Sequence, residues 1–206
     1  MSALRTLALG DSYTIGEGVD EDGRWPTQLA RRLRDGGIDV APPRVIATTG
    51  WTTDELAAAI AAEQPLGTFD FVTLGIGVND QYRGRSVAEY RAQLEPLLHT
   101  AVQLAGGRAE RMLMLSIPDW GVTRFARAEG RDAGTVAAEI DAFNDAARAM
   151  CESGRIAFVD ITPVSRDGGD DDAMLVHDGL HPSAAMYARW VEAALPVAHR
   201  LLAADA

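Results

Sequence analysis

Short runs of apolar residues recur along the chain, and the segments between them carry apolar positions at helical spacing. Runs of this length with few polar interruptions are typical of strands that are buried on both faces of a sheet. We predict five strands, near residues 4–9, 44–48, 69–74, 111–116 and 156–161. Because the strands alternate with helical segments, the pattern predicts an α/β protein, a three-layer α/β/α sandwich around a five-stranded parallel sheet.

Start and stop residues delimit the helical segments. Proline suits the first turn of a helix because its missing N–H would be unpaired there, and serine or threonine suits the N-cap. Glycine marks the end of a helix. The predicted helices run from Pro26 to 36–37, from Thr52 or Thr53, from near Ser86 to 106–107, over about 133–152, and from Pro182.

The length and composition fit one folded domain. With 206 residues, of which 47% are hydrophobic and 24% charged, the chain resembles an ordinary globular protein, and we predict a single domain over residues 1–206. The sequence contains no run of about 18 apolar residues and no recognisable signal peptide. We therefore expect a soluble, cytoplasmic protein.

The charge pattern excludes several classes of partner and reaction. The net charge is −11 and all 19 basic residues are arginine, so no basic stripe exists to neutralise the phosphates of a nucleic acid or an anionic membrane. The absence of lysine also excludes Schiff-base and P-loop lysine chemistry. We expect the acidic cluster Asp170–Asp172 to be a solvated loop, and Cys151, the single cysteine, simply to pack.

The segment HDGLHP, from His177 to Pro182, permits two interpretations. His177 and His181 are spaced like the histidines of an H-E-x-x-H zinc site, with Asp178 in place of glutamate. Such a site requires a regular helix, which Gly179 and Pro182 disfavour, and no third zinc ligand is identifiable. In a turn, Asp178 can instead accept a hydrogen bond from one ring nitrogen of His181, which leaves the other nitrogen to accept a proton. We favour this second interpretation.

Three further positions of chemical interest directly follow predicted strands. Ser12 follows the first strand, Gly50 the second and Asn79 the third. The carboxyl ends of parallel strands meet at one edge of the sheet, where ligands bind. At that edge Ser12 can act as a nucleophile, while backbone N–H groups and the Asn79 amide can stabilise an oxyanion. Each position also has a structural alternative: a helix cap, a tight turn, an Asx-turn, or, for Asp178, a cap beside a structural histidine.

Four motifs occur in order along nearly the whole chain. They are GDSY with Ser12, the glycine Gly50, GVND with Asn79, and DGLH with Asp178 and His181. Together they resemble the four sequence blocks of the SGNH/GDSL hydrolases, and the segment RWPTQL resembles bacterial esterases of this family. The nucleophile motif of the common α/β-hydrolases, G-x-S-x-G, does not occur in the sequence.

The resemblance implies a flavodoxin-like fold and a serine hydrolase that acts on esters, thioesters or sugar acetates. By the same resemblance Ser12 attacks the acyl carbon, His181 takes its proton and Asp178 orients His181. The Ser12 N–H, the Gly50 N–H and the Asn79 side chain then form the oxyanion hole. These roles agree with those inferred from the residues.

The sequence also predicts a class of substrate and three aromatic residues of its pocket. We expect a small ester as the substrate, from acetyl to butyryl and including sugar acetates, because the chain has few aromatic residues and no long apolar insertion to serve as a lid. Lysophospholipase or acyl-thioesterase activity, an inactive binding module and a metal-dependent hydrolase are the alternatives. Trp120 and Phe125 are expected to line the pocket, Trp51 to line it or to pack beneath it, and His177 to lie in a loop. We expect no cofactor and no metal.

Overall fold

Five strands form one parallel sheet in the computed structural model, which describes residues 3–203. The ends of the predicted domain, residues 1–2 and 204–206, lie outside the described part. The strands are β1 (Thr6–Gly10), β2 (Arg44–Ala47), β3 (Phe71–Gly75), β4 (Met112–Leu115) and β5 (Ala157–Val159), and their order in the sheet is β2-β1-β3-β4-β5. This arrangement confirms the predicted five-stranded parallel sheet.

Two groups of helices cover the sheet. The helices are α1 (Ser12–Ile15), α2 (Trp25–Asp35), α3 (Thr53–Ala62), α4 (Val78–Tyr82), α5 (Val87–Leu104), α6 (Arg124–Ala128), α7 (Ala133–Ser153), α8 (Thr162–Arg166) and α9 (Ala184–Ala203). Helix α2 packs against α9, while α5 packs against both α3 and α7. The five longer helices confirm the predicted segments, whereas the four short ones, α1, α4, α6 and α8, are not among them.

Two helix starts follow their predicted caps, and one does not. Thr52 and Ser86 are the N-caps of α3 and α5, each in a capping box with the glutamate three residues later. The prediction that Pro182 opens the last helix is wrong, because α9 begins at Ala184. Pro182 instead pairs with Leu175 in an isolated antiparallel bridge, and the Ser183 hydroxyl accepts a hydrogen bond from the Met186 N–H, which is the role of an N-cap.

The sheet fixes the edge at which the predicted site residues meet. Strand β1 pairs with β2 on one side and with β3 on the other, so the strand order reverses between β1 and β3. Open parallel sheets bind ligands at such a reversal, outside the carboxyl ends of the strands. Gly10 at the end of β1 pairs with Gly75 at the end of β3. The segments that carry Ser12 and Asn79 therefore leave neighbouring strands at the same edge.

Cys151 is buried as predicted, and burial raises the pKa of its thiol to about 12. Within residues 3–203, no helix has both the length and the apolar character needed to cross a membrane.

Candidate active site

Ser12 lies at the start of α1, directly after the turn that ends β1. The Asp11 carboxylate caps this helix by accepting a hydrogen bond from the Tyr13 N–H at 3.0 Å. Gly10 is required for the turn, because a Cβ there would lie 2.5 Å from the Gly75 carbonyl oxygen and 2.1 Å from the Thr14 hydroxyl. The turn places Ser12 at the carboxyl edge of the sheet with only 5% of its surface exposed.

Asp178 and His181 form a hydrogen-bonded pair in the loop before α9. The His181 Nδ1 lies 2.6 Å from Asp178 Oδ2. Asp178 Oδ1 accepts hydrogen bonds from the backbone N–H groups of Leu180 at 2.8 Å and His181 at 3.0 Å. Partial burial by itself would raise the pKa of Asp178, but the bonds from the His181 ring and from the two backbone groups bring it below its ordinary value. A carboxylate in this position holds the proton on Nδ1 and leaves Nε2 free to accept another.

Helix α6 supports the loop that carries this pair. Arg124 donates to the carbonyl oxygens of Val176 at 3.0 Å and His177 at 3.1 Å, and it forms an ion pair with Asp172. The Phe125 N–H donates to the Gly179 carbonyl oxygen at 3.1 Å. This ion pair also connects the acidic cluster Asp170–Asp172 to Arg124. Arg124 is missed by the sequence reasoning, since its contacts are about 50 residues distant along the chain.

Gly50 follows β2, and Asn79 lies on α4 directly after β3, so both lie at the same edge of the sheet. Gly50 has φ +86°, which favours glycine, and its carbonyl oxygen accepts a hydrogen bond from Arg83 at 2.6 Å. The Asn79 side-chain Nδ2 donates to the Trp51 carbonyl oxygen at 2.9 Å. A primary amide has two N–H donors, so this bond orients the Asn79 side chain and leaves the second donor for a ligand.

Two buried aspartates hold the turns around these residues. Asp80 Oδ2 accepts hydrogen bonds from the backbone N–H and the hydroxyl of Thr53, and Oδ1 pairs with Arg85 at 2.9 Å. Burial raises the pKa of Asp80 despite these partners. Burial also raises the pKa of Asp11 to about 7, with a smaller contribution from the nearby Asp80 charge.

The Asp11 pKa predicts how stability depends on pH. A carboxyl whose folded pKa lies above its unfolded value binds its proton more tightly in the folded state, so its stabilising effect is complete in acid and is lost as pH rises towards 7. The substitution Asp11→Asn retains a side-chain oxygen for the Tyr13 cap but introduces a group that cannot ionise. We expect the free energy of unfolding of Asp11→Asn, relative to the wild type, to rise by about 2–3 kcal/mol from pH 5 to pH 8.

Thermal or urea unfolding of both proteins at each pH measures this difference. Any constant effect of the amide on packing cancels, because only the change with pH is compared. A difference between Asp11→Asn and wild type that is the same at both pH values would contradict the raised pKa.

A cleft of about 200 Å³ brings most of the predicted site residues together. Its lining contains Ser12, Gly50, Asn79, Trp120, Phe125 and His181 from the prediction, and in addition Tyr13, Thr49, Val78, Tyr82 and Leu180. Trp51 is not part of the lining; its side chain packs partly buried against the core. Tyr82 is missed by the sequence reasoning, because it lies three residues after Asn79 on α4, a helix too short to be predicted from the sequence.

Other features of the surface lie apart from this cleft. A larger groove of about 520 Å³ between α5 and α7 contains none of the predicted site residues.

His177 is exposed in the loop before α9, and its carbonyl oxygen accepts a hydrogen bond from Arg124. His177 and His181 therefore do not share a helical face. Within residues 3–203, no group of three or more His, Cys, Asp or Glu side chains is arranged to hold a metal ion.

A family model and a known relative each match most of the chain. The sequence model of the GDSL-like lipase/acylhydrolase family matches residues 8–189. The chain is 29% identical over 211 residues to esterase TesA of Pseudomonas aeruginosa, across 98% of this chain and 90% of that protein.

Solved structures of similar proteins share the fold. A crystal structure of TesA has a TM-score of 0.76 at 23% identity, covering 96% of this chain and 99% of that chain. A variant of an acetyl xylan esterase from Geobacillus stearothermophilus has a TM-score of 0.72 at 20% identity, covering 96% and 95% of the two chains. At these identities the likeness is one of fold.

Proposed function

The chain belongs to the GDSL-like lipase/acylhydrolase family and is an ester hydrolase of this type, and we propose that it cleaves short-chain acyl esters through a triad of Ser12, His181 and Asp178. The observation that carries this proposal is the cleft lined by both Ser12 and His181, in which the His181 ring is bound to Asp178 at 2.6 Å. An ionised Asp178 is the partner that an imidazole base requires.

In the acylation step, Ser12 Oγ attacks the acyl carbon while His181 Nε2 takes the serine proton. Asp178 stabilises the resulting imidazolium without itself accepting the proton. The tetrahedral oxyanion is bound by the backbone N–H groups of Ser12 and Gly50 and by the second N–H of the Asn79 amide.

Collapse of the tetrahedral intermediate breaks the ester bond and releases the alcohol, which takes the proton from His181. Water then attacks the acyl-enzyme: His181 removes one proton from the water, a second tetrahedral intermediate forms, and its collapse returns the proton to Ser12 Oγ. The products are the free acid and the alcohol, and the enzyme is regenerated without a cofactor.

The proposed substrates carry acetyl to butyryl groups, sugar acetates among them. The cleft is small, about 200 Å³, and its lining includes the apolar side chains of Val78, Trp120 and Phe125, which suits a short acyl chain better than a long one. A structural relative is an acetyl xylan esterase. Lysophospholipids and acyl thioesters are the alternative substrates within the same family.

Release of p-nitrophenol from its acetate tests the proposal. We expect turnover that a serine-reactive phosphonate abolishes, with one phosphonate bound per chain at Ser12, and that a chelator leaves unchanged. Turnover lost in chelator and restored by zinc would replace the triad with a metal mechanism. A folded protein that hydrolyses no ester or thioester and does not react with the phosphonate would contradict the proposal and favour a binding module.

A further inference from the structure

Tyr82 is an unusual residue in the wall of the cleft. It is the sole exposed large apolar side chain in the part of the chain that the structure describes, with 43% of its surface accessible. It ends α4, the helix that also carries Asn79. A large ring in the lining of a small apolar cleft limits how much space the cleft offers.

The neighbouring ring, that of Trp120, is fixed in place. Trp120 is 2% exposed, and its Nε1 donates to the Gln81 side-chain oxygen at 2.8 Å. The Gln81 amide nitrogen in turn donates to Glu139 of α7 at 2.6 Å. Tyr82 packs edge-on against this fixed ring, with 5.3 Å between the ring centroids. Trp120 is therefore a fixed part of the cleft lining, and the Tyr82 ring packs against it.

Arg131 packs against both rings from the segment between α6 and α7. Its guanidinium carbon lies 5.1 Å from the Trp120 ring centroid and 5.6 Å from the Tyr82 ring centroid. Among residues 3–203 this guanidinium makes no hydrogen bond or ion pair, so the rings are its partners. The Arg131 backbone is held by the bond from its N–H to the Ala126 carbonyl oxygen at 2.9 Å.

Building on the proposed acyl-ester chemistry, we propose that Tyr82 closes the acyl end of the cleft and that Arg131 is the positioning residue that keeps it closed. Tyr82 is held by two ring contacts, with Trp120 and with Arg131, and both are weak at an exposed site. Loss of the Arg131 contact lets the ring turn towards solvent and lengthens the cleft. The pair thus sets the longest acyl group that the enzyme accepts.

The chain-length profile of turnover tests this role. With p-nitrophenyl acetate, butyrate, octanoate and decanoate as substrates, Tyr82→Ala should raise the octanoate-to-acetate ratio of kcat/KM by about tenfold, since a whole aromatic ring leaves the cleft. Arg131→Met keeps an unbranched side chain that can still pack but removes the guanidinium cation, and it should raise the ratio about two- to fivefold. The kcat for acetate should stay near the wild-type value in Arg131→Met, because the Arg131 side chain does not line the cleft.

Matched controls separate this role from a general loss of structure. Tyr82→Phe retains the ring and should keep the wild-type profile. Arg200→Met alters an exposed arginine of α9 and should also leave it unchanged. In a Tyr82→Ala background, Arg131→Met should add nothing to the ratio, because the ring it positions is gone. A merely structural Arg131 would instead lower the rates of all esters by one factor, together with the melting temperature.

A binding measurement decides the inference independently of turnover. In a Ser12→Ala background, calorimetry with octanoate and butyrate should give tighter octanoate binding after Tyr82→Ala, with butyrate affinity little changed. Folded Tyr82→Ala protein with the wild-type chain-length profile and the parental octanoate affinity would overturn the inference. A wild-type protein without esterase activity would contradict the proposed function instead, and the octanoate measurement would still test the closure of the cleft.

Discussion

Ser12→Ala is expected to lower kcat by about 10³-fold or more, with the fold intact. Alanine removes the attacking oxygen, so the acyl-enzyme cannot form, and only binding and the oxyanion hole remain to assist attack by water. The substitution removes little that stabilises the protein. The cap of α1 is the Asp11 carboxylate, which bonds to the Tyr13 N–H and not to the serine side chain. Steady-state kinetics with p-nitrophenyl acetate measure the effect.

A second serine provides a control for the structural alternative, in which Ser12 only begins a helix. The Ser86 hydroxyl caps α5 by accepting a hydrogen bond from the Glu89 N–H at 3.2 Å. Ser86→Ala should lower the free energy of unfolding by about 1 kcal/mol and leave kcat unchanged. Ser12→Ala should instead lower kcat and leave the free energy of unfolding nearly unchanged. Folded Ser12→Ala protein that keeps near-normal turnover would exclude the serine mechanism.

The long elements are predictable because their signals are local. Buried parallel strands are continuous apolar runs, and capping residues such as Thr52 and Ser86 act on backbone groups within one turn. The short helices α1, α4, α6 and α8 have four or five residues, too few for apolar periodicity to distinguish them from turns. The predicted start of α9 is wrong because Pro182 and Ser183 are both typical of a helix start. The Ser183 hydroxyl is the group that caps α9, so the helix begins at Ala184.

The site is predictable to the extent that its residues belong to strand ends and short motifs. Ser12, Asn79 and His181 come from segments that the parallel sheet brings to one edge, and all three line the cleft. The supporting residues have no such signal. Arg124 and Arg131 act through contacts that appear only after α6 is placed against the His181 loop and the Trp120 ring. The prediction for Trp51 concerned its side chain, whereas its carbonyl oxygen contacts the site residue Asn79.

Asn79 has two N–H donors, and the structure accounts for one of them. Nδ2 donates to the Trp51 carbonyl oxygen at 2.9 Å, which orients the amide of a residue that lines the cleft. If the second donor binds the oxyanion, its bond strengthens as negative charge develops on the acyl oxygen. The interaction then stabilises the transition state more than the bound substrate, so its loss lowers kcat and leaves KM almost unchanged.

We therefore expect Asn79→Ala to lower kcat about 10²- to 10³-fold, which corresponds to about 2.7–4 kcal/mol of transition-state stabilisation. Loss of the bond to Trp51 should also lower the melting temperature by about 2–4 °C. Asn79→Asp keeps the shape but replaces the donor with a negative charge, so its kcat should fall at least as far. Purified Asn79→Ala that melts several degrees lower yet retains the wild-type kcat would limit Asn79 to orienting the Trp51 backbone. The Ser12 and Gly50 N–H groups would then be the whole proposed oxyanion hole.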